Sequence, residues 1–175
     1  MKICTLCPRM CAVDRKSGER GICGQTTEIK VARAALHFWE EPCISGEMGS
    51  GAVFFSGCAL HCVFCQNENI ANGTAGKVIS TERLGEIFLE LQEKGANNIN
   101  LVTPGQFVPS IALALDMAKA KGLHLPIICN CSGYSSLTAL RILSDHVNVW
   151  LPDFKYYSPE LSRKYSHAPD YFTVA

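Results

Sequence analysis

The sequence predicts an α/β fold built on a parallel sheet. From residue 51 onward, short apolar segments of strand length alternate with longer segments of helical periodicity. Alternation of strands and helices implies right-handed crossover connections between parallel strands. The first 50 residues differ, because they are rich in cysteine, glycine and charge and have little helical periodicity. We therefore expect two domains, a small Cys-rich metal-binding extension over residues 1–50 and the α/β unit over residues 51–175.

Four strands and four helices are expected in the α/β unit. The strand candidates are the apolar runs at residues 52–56, 98–102, 126–131 and 147–151. The first helix has apolar residues at the spacing i, i+3, i+4, i+7, which are Leu84, Ile87, Phe88 and Leu91. Further helices, each with a proline or a serine cap near its start, are expected over residues 109–121, over 136–143 and from Pro159 onward. One more strand candidate, residues 28–39, lies in the extension.

Charge and hydropathy exclude several classes of protein. Lysine and arginine together number 16, as do aspartate and glutamate, so the formal net charge is zero. This balance argues against a nucleic-acid partner, and no polybasic segment indicates a membrane surface. The N-terminus lacks the apolar core of a signal peptide, and no apolar run is long enough to span a bilayer. We therefore expect a cytoplasmic protein with no nucleic-acid or membrane partner.

Ten cysteines are many for such a chain, and in the cytosol they indicate metal binding or catalysis rather than disulfides. Cys58, Cys62 and Cys65 lie on one loop directly after the first strand. Three thiolates can hold three irons of a [4Fe–4S] cluster and leave the fourth iron open to a substrate or cofactor. Phe64 is suited to pack beside a planar ring. Structural zinc, with His61 close by, is the alternative, but the spacing, the aromatic residue and the strand position favour iron–sulfur.

A second group of thiols lies in the extension and comprises Cys4, Cys7, Cys11 and Cys23. Four thiolates suit zinc and a second iron–sulfur cluster equally in number, so the metal stays open. The alternative of four free thiols would leave this segment with little reason to fold. On the third strand, we expect Cys129 to be a buried packing residue and Cys131 to point to the other side.

Polar residues follow the other three strands, at the same rim of the sheet as the cysteine loop. An open iron suits a chelating amine and carboxylate, such as those of S-adenosylmethionine (SAM), whose adenosine the rim would then hold. Asn130 and Ser132 can hydrogen-bond sugar hydroxyls. Lys155 can neutralise a carboxylate, and Thr103 can reach an amine or water. The rim therefore has side chains of the kind that this cofactor requires.

The run Cys58-x3-Cys62-x-Phe64-Cys65 after a first strand resembles the radical SAM superfamily. More narrowly, the chain resembles homologues of the pyruvate formate-lyase activating enzyme that carry an N-terminal cysteine-rich extension. The segments that carry this resemblance are residues 4–11, 34–42, 54–58, 65–67, 130–134 and 151–155. The resemblance implies a partial (β/α) barrel of the radical SAM type, with about four strand–helix units present.

The same resemblance implies a [4Fe–4S] cluster ligated by Cys58, Cys62 and Cys65. The positions that resemble SAM contacts are Phe64, near the adenine, and Thr103, Asn130, Ser132 and Lys155. The implied reaction is reductive cleavage of SAM to a 5′-deoxyadenosyl radical, with activation of a glycyl-radical enzyme as the narrower expectation. The implied partners are a protein substrate and an electron donor such as flavodoxin or ferredoxin.

Two departures from the family pattern bear on this interpretation. The Gly-Gly-acid stretch that contacts the cofactor amine is absent, and Thr103-Pro104-Gly105 stands in its place. Family barrels have six units, so we expect a C-terminally short form, or a second copy that covers the open sheet edge. The alternatives to an enzyme are a catalytically incompetent iron–sulfur or zinc-binding fragment and a zinc-stapled binding module.

Overall fold

The computed structural model describes residues 3–175. Within them the strands are β1 (Ile29–His37), β2 (Ser50–Phe55), β3 (Lys77–Ile79), β4 (Ile99–Val102), β5 (Ile127–Cys131) and β6 (Val149–Pro152). These strands form one six-stranded sheet in the order β3–β1–β2–β4–β5–β6. The sheet is open rather than closed into a barrel, with β3 at one edge and β6 at the other.

The parallel part of the sheet comprises β2, β4, β5 and β6, which are the four strands expected from the sequence. Their bounds agree with the predicted ones to within two residues. Because parallel strands end at the same rim, the loops that follow these four strands lie side by side. The cysteine loop (residues 57–65) follows β2 and therefore lies on this rim.

Two further strands make the sheet mixed, so the expectation of a wholly parallel sheet is wrong at one side. β1 falls within the strand candidate at residues 28–39 and pairs antiparallel with β2, and β3 pairs antiparallel with β1. A parallel pair needs a long crossover, usually a helix. Only α1 (Pro42–Ser45), four residues long, lies between β1 and β2. β1 thus ties residues 1–50 into the sheet, and the domain boundary at residue 50 stays a prediction.

The remaining helices are α2 (Glu68–Ala71), α3 (Thr81–Glu93), α4 (Val108–Ala120), α5 (Leu137–Ser144), α6 (Pro159–Ser166) and α7 (Tyr171–Val174). Helices α3 to α6 are the four expected from the sequence. Serine hydroxyls accept backbone N–H groups at the starts of three of them, and these caps are Ser80, Ser136 and Ser158. Each such cap stabilises its helix by about 1 kcal/mol.

Helices α3 and α4 pack against the parallel strands and bury the main core. Its largest buried side chains include Phe55, Leu84, Phe88, Ile99, Leu101, Ile111 and Leu115. Each buried aliphatic or aromatic side chain of this size stabilises the fold by roughly 1.5–3 kcal/mol. The core holds the strands in place and leaves their carboxyl ends available for a site.

Candidate iron–sulfur and cofactor site

The cysteine loop begins at a glycine that the fold requires. Gly57 has a φ of +88°, in the left-handed region that other residues rarely adopt. A Cβ atom on Gly57 would lie 2.5 Å from the carbonyl oxygen of Cys23. Only glycine therefore lets the N-terminal segment approach the loop this closely. Further along, the backbone N–H of Cys65 donates to the carbonyl oxygen of Cys62 at 3.0 Å, which closes a turn between two thiols.

The sulfurs of the cysteine loop accept hydrogen bonds that suit a thiolate. The backbone N–H of Leu60 donates to Cys58 Sγ at 3.4 Å, and Ser166 Oγ donates to Cys62 Sγ at 2.9 Å. Burial raises the pKa of Cys58, and the neighbouring Cys62 and Cys65 raise it further. The backbone N–H groups of Leu60 and His61 lower this pKa in part. A metal ion that binds Cys58 would displace the proton of its thiol.

The loop after β4 carries backbone strain next to the cysteine loop. Thr103 has a φ of +55°, which costs a β-branched residue on the order of 1–3 kcal/mol. Its backbone N–H donates to the carbonyl oxygen of Asn130 at 2.9 Å. Gln106 Nε2 donates to the carbonyl oxygens of Ser56 (2.8 Å) and Gly57 (3.0 Å). The loop after β4 is thus fixed by hydrogen bonds to the loop after β2 and to the end of β5.

Asn130 has an acidic partner that sequence reasoning missed. Its Nδ2 donates to Glu40 Oε2 at 3.2 Å, and His37 Nε2 lies 4.0 Å from Glu40 Oε1. Burial raises the pKa of Glu40, although His37 and Asn130 offset part of this effect. Glu40 lies in residues 34–42, one of the segments that carry the family resemblance, and this was the only indication of it in the sequence. Its contact with Asn130 of β5 depends on the fold.

Lys155 is paired with an acid of its own loop. Its Nζ donates to Asp153 Oδ2 at 2.6 Å. Burial lowers the pKa of Lys155, but the hydrogen bond and charge of Asp153 outweigh burial and leave this pKa above its ordinary value. The Tyr171 hydroxyl lies 2.7 Å from the carbonyl oxygens of both Ser132 and Asp153 and accepts the Lys155 backbone N–H at 2.9 Å. Tyr171 therefore holds the loops after β5 and β6 together.

A cavity beside the cysteine loop joins several predicted site residues. Including its open mouth it encloses about 580 Å³, and its lining contains Cys4, Cys7, Cys23, Cys58, Thr103 and Ser132. Phe64, Asn130 and Lys155 lie outside this lining. The Phe64 side chain is largely exposed, and its ring centroid is 6.1 Å from that of Tyr156. The cavity thus brings Cys58 beside three N-terminal thiols. Of the predicted SAM contacts, Thr103 and Ser132 line it and the others do not.

Residues 52–172 match the Radical SAM superfamily. The chain belongs to this superfamily. Membership implies a [4Fe–4S] cluster, SAM binding and oxidoreductase chemistry.

A relative of this radical SAM chain is the uncharacterized protein MJ0674 of Methanocaldococcus jannaschii, which is 28% identical over 180 residues. The alignment covers 99% of the chain and 51% of MJ0674, so the chain spans about half the length of this curated relative. No solved structure matches the chain with significance. Among the described residues, every helix is too short or too polar to cross a bilayer.

The donor set of the radical SAM chain fits the cluster that its superfamily implies. Cys58, Cys62 and Cys65 present three sulfurs on one loop, with N–H and O–H groups directed at two of them. Within residues 3–175, no three Cys, His, Asp or Glu side chains converge as ligands of a single metal ion. A [4Fe–4S] cluster does not require this convergence, because each thiolate binds a different iron. The assignment of these three residues as ligands stays a prediction.

Cys131 does not point away from Cys129, so that expectation is wrong. Residues two apart on a strand share a face, and both side chains pack against the main core. The hydrogen bond between the two thiols raises the pKa of Cys129 and lowers the pKa of Cys131 to about 6. Cys131 also lines the cavity. Cys131 therefore adds a thiol with a lowered pKa to the lining of the cavity.

Proposed function

We propose that this chain uses SAM reductively, with Cys58, Cys62 and Cys65 as the ligands of its cluster. The observation that carries this proposal is the three-thiol loop at the carboxyl end of β2, in a chain of the radical SAM superfamily. When bound, the [4Fe–4S] cluster and SAM supply electron transfer to the sulfonium and a 5′-deoxyadenosyl radical. The chain itself holds the irons, orients the cofactor and limits the access of water.

The side chains around the loop have distinct roles in this proposal. Ser166 stabilises the thiolate of Cys62 through its hydrogen bond. The exposed ring of Phe64 is free to stack on adenine. Lys155, which donates to Asp153, offers a cation for the carboxylate of SAM. On binding, this carboxylate would replace Asp153 as the partner of Lys155.

The loops after β4 and β5 supply the remaining proposed contacts. Asn130 and Ser132 offer an amide and a hydroxyl for the ribose. Thr103 lies on the cavity in a strained backbone conformation, as residues at functional sites often do. Its loop stands where related enzymes place acidic residues that bind the SAM amine. We assign amine or water contact to Thr103.

We further propose that the protein substrate is a glycyl-radical enzyme and that the electron comes from a flavodoxin or a ferredoxin. The resemblance of six segments to pyruvate formate-lyase activating enzyme homologues supports both partners. With its cluster and SAM bound, the chain would hold a glycine of the protein substrate beside the cofactor, which would supply the chemistry for removal of a hydrogen atom from the glycine Cα. The open edge of β6 supports a contact with a second copy, which light scattering would measure as a dimer.

The experiment is an anaerobic assay of the reconstituted chain with SAM and dithionite. We expect 5′-deoxyadenosine from the wild type, and none after Cys58, Cys62 and Cys65 are all changed to alanine. The exposed Cys43, outside both thiol groups, provides the matched control as Cys43→Ala. Iron and sulfide bound without 5′-deoxyadenosine would overturn the proposal in favour of a catalytically incompetent fragment. Zinc bound without sulfide would overturn it in favour of a zinc-stapled module.

A further inference from the structure

The N-terminal thiol group (Cys4, Cys7, Cys11 and Cys23) is assembled by the fold. The backbone N–H of Cys4 donates to the carbonyl oxygen of Val13 at 2.9 Å, and the Ala12 N–H donates back to Cys4 at 3.1 Å. Cys4, Cys7 and Cys23 line one cavity, and Cys11 Sγ accepts the backbone N–H of Ile22, the residue before Cys23. Residues spread over 20 positions of sequence are therefore brought to one place.

Two sulfurs of the N-terminal thiol group have an N–H donor. The Ile22 backbone N–H donates to Cys11 Sγ at 3.4 Å, and Arg15 Nη1 lies 4.0 Å from Cys4 Sγ. Donors directed at sulfur stabilise thiolates, which are the form that binds metal.

Arg15 supplies an independent indication of negative charge at this place. The residue is only 7% exposed. Its guanidinium donates to the carbonyl oxygens of Gln25 (3.1 Å), Gln106 (2.8 Å) and Thr26. Among residues 3–175, no carboxylate forms an ion pair with it. The guanidinium also lies over the Phe107 ring, 5.9 Å from its centroid. A buried cation is retained where an opposite charge compensates it, and Cys4 Sγ lies 4.0 Å from Nη1.

We propose that Cys4, Cys7, Cys11 and Cys23 bind a second metal centre through four thiolates and that Arg15 neutralises part of its negative charge. On binding, each thiol releases its proton to solvent and the sulfurs move inward onto the metal. Both a zinc ion and an iron–sulfur cluster give an anionic centre with four thiolates. The centre lies across one cavity from Cys58, a proposed ligand of the SAM cluster.

Metal analysis of the anaerobically purified full chain tests this proposal. We expect iron and sulfide for one cluster and, in addition, metal bound at the N-terminal thiols. A Cys7→Ser/Cys23→Ser double variant should lose this additional metal and retain the first cluster. Reconstitution with zinc chloride alone, or with ferrous iron plus sulfide, shows whether the thiols hold zinc or an iron–sulfur cluster. Retention of zinc or of the cluster at these thiols supports the proposal. Cys43→Ser is the control. Metal content equal to that of the wild type in the double variant would overturn the proposal.

A measurement on the wild type covers the case in which the double variant does not fold. Under native conditions, iodoacetamide should label Cys43 at once and the N-terminal thiol group only after a chelator removes the metal. Mass spectrometry of the peptides gives the rate for each cysteine. Equal labelling of the N-terminal thiols before and after chelation would refute metal ligation by them. This readout does not depend on SAM cleavage, so it stands or fails separately from the proposed function.

The role of Arg15 is tested by removing its charge. We expect Arg15→Gln to lose the second metal to a chelator about 10-fold faster than the wild type, because outer partners of ligands typically change metal affinity by this factor or more. Arg15→Lys should restore part of the retention. The exposed Arg20, which hydrogen-bonds only the carbonyl oxygen of Gly24 in the same segment, is the control as Arg20→Gln. Unchanged retention in Arg15→Gln would contradict its role.

Discussion

Cys58 of the cysteine loop and Cys4, Cys7 and Cys23 of the N-terminal thiol group line one cavity, yet different parts of the chain hold them. The cysteine loop presents three thiols within eight residues and takes its hydrogen bonds from its own backbone and from Ser166. The N-terminal thiol group spans 20 residues and depends on Arg15, which also contacts the loop after β4. Local spacing therefore defines the first site, whereas tertiary contacts define the second.

Arg9 connects the two thiol groups. Its Nε donates to the carbonyl oxygen of Ala59 in the cysteine loop at 2.8 Å, and its Nη2 donates to that of Ser166 at 2.7 Å. The guanidinium also lies over the Tyr134 ring, 5.3 Å from the centroid. His61, inside the cysteine loop, places Nε2 2.7 Å from the carbonyl oxygen of Ile22. These contacts join the two thiol groups directly.

The largest effect is expected from Gly57→Ala, which pushes the two groups apart. The new Cβ would lie 2.5 Å from the Cys23 carbonyl oxygen, and the left-handed φ alone costs on the order of 1–3 kcal/mol. We expect a lower free energy of unfolding and loss of metal from the N-terminal thiol group. Chemical denaturation and metal analysis measure the two effects.

Two glycines separate the causes of the Gly57→Ala effect. Gly18 has a φ of +95° but no atom within 4 Å of its ideal Cβ, so Gly18→Ala reports backbone strain alone. Gly105 has neither a positive φ nor a close neighbour, so Gly105→Ala should be nearly neutral. Equal destabilisation by Gly57→Ala and Gly18→Ala would contradict a close contact between Gly57 and the Cys23 carbonyl oxygen.

The contrast between local spacing and tertiary contacts also explains what the sequence could predict. The four parallel strands and the helices α3 to α6 follow from apolar periodicity and caps such as Ser80, and the cysteine loop follows from spacing. The bond between Ser166 and Cys62 spans 104 residues, and that between Arg15 and Gln106 spans 91. No local pattern records such contacts. The antiparallel β1 was found as a strand, but its direction depends on the short connection through α1.

A smaller effect is expected from Ser166→Ala, which should affect the cysteine loop and spare the N-terminal thiol group. The change removes the donor to Cys62 and the partner of the Tyr156 hydroxyl, which is 2.6 Å from Ser166 Oγ. We expect about 1 kcal/mol of destabilisation and roughly 10-fold faster loss of the first cluster to a chelator. Ser144→Ala, which removes only a surface bond to Arg141, is the control. Equal loss of metal from both thiol groups would contradict the prediction that Ser166 acts on the cysteine loop alone.

The smallest effect concerns Cys131, which lies in the same cavity but belongs to neither group. The hydrogen bond from Cys129 lowers the pKa of Cys131 to about 6, so its thiolate should be present from about pH 6 upward and react with iodoacetamide there. In Cys129→Ala we expect the midpoint of alkylation to rise toward the ordinary thiol value of about 8.5. Cys129→Ser keeps a hydroxyl donor and should shift the midpoint less. Peptide mass spectrometry across pH measures both midpoints, and an unchanged midpoint in Cys129→Ala would contradict the assigned cause. The lowered pKa of Cys131 does not depend on a metal ion, so a chelator should leave its labelling by iodoacetamide unchanged. Labelling of the N-terminal thiols, which metal should protect, can therefore be compared with labelling of Cys131.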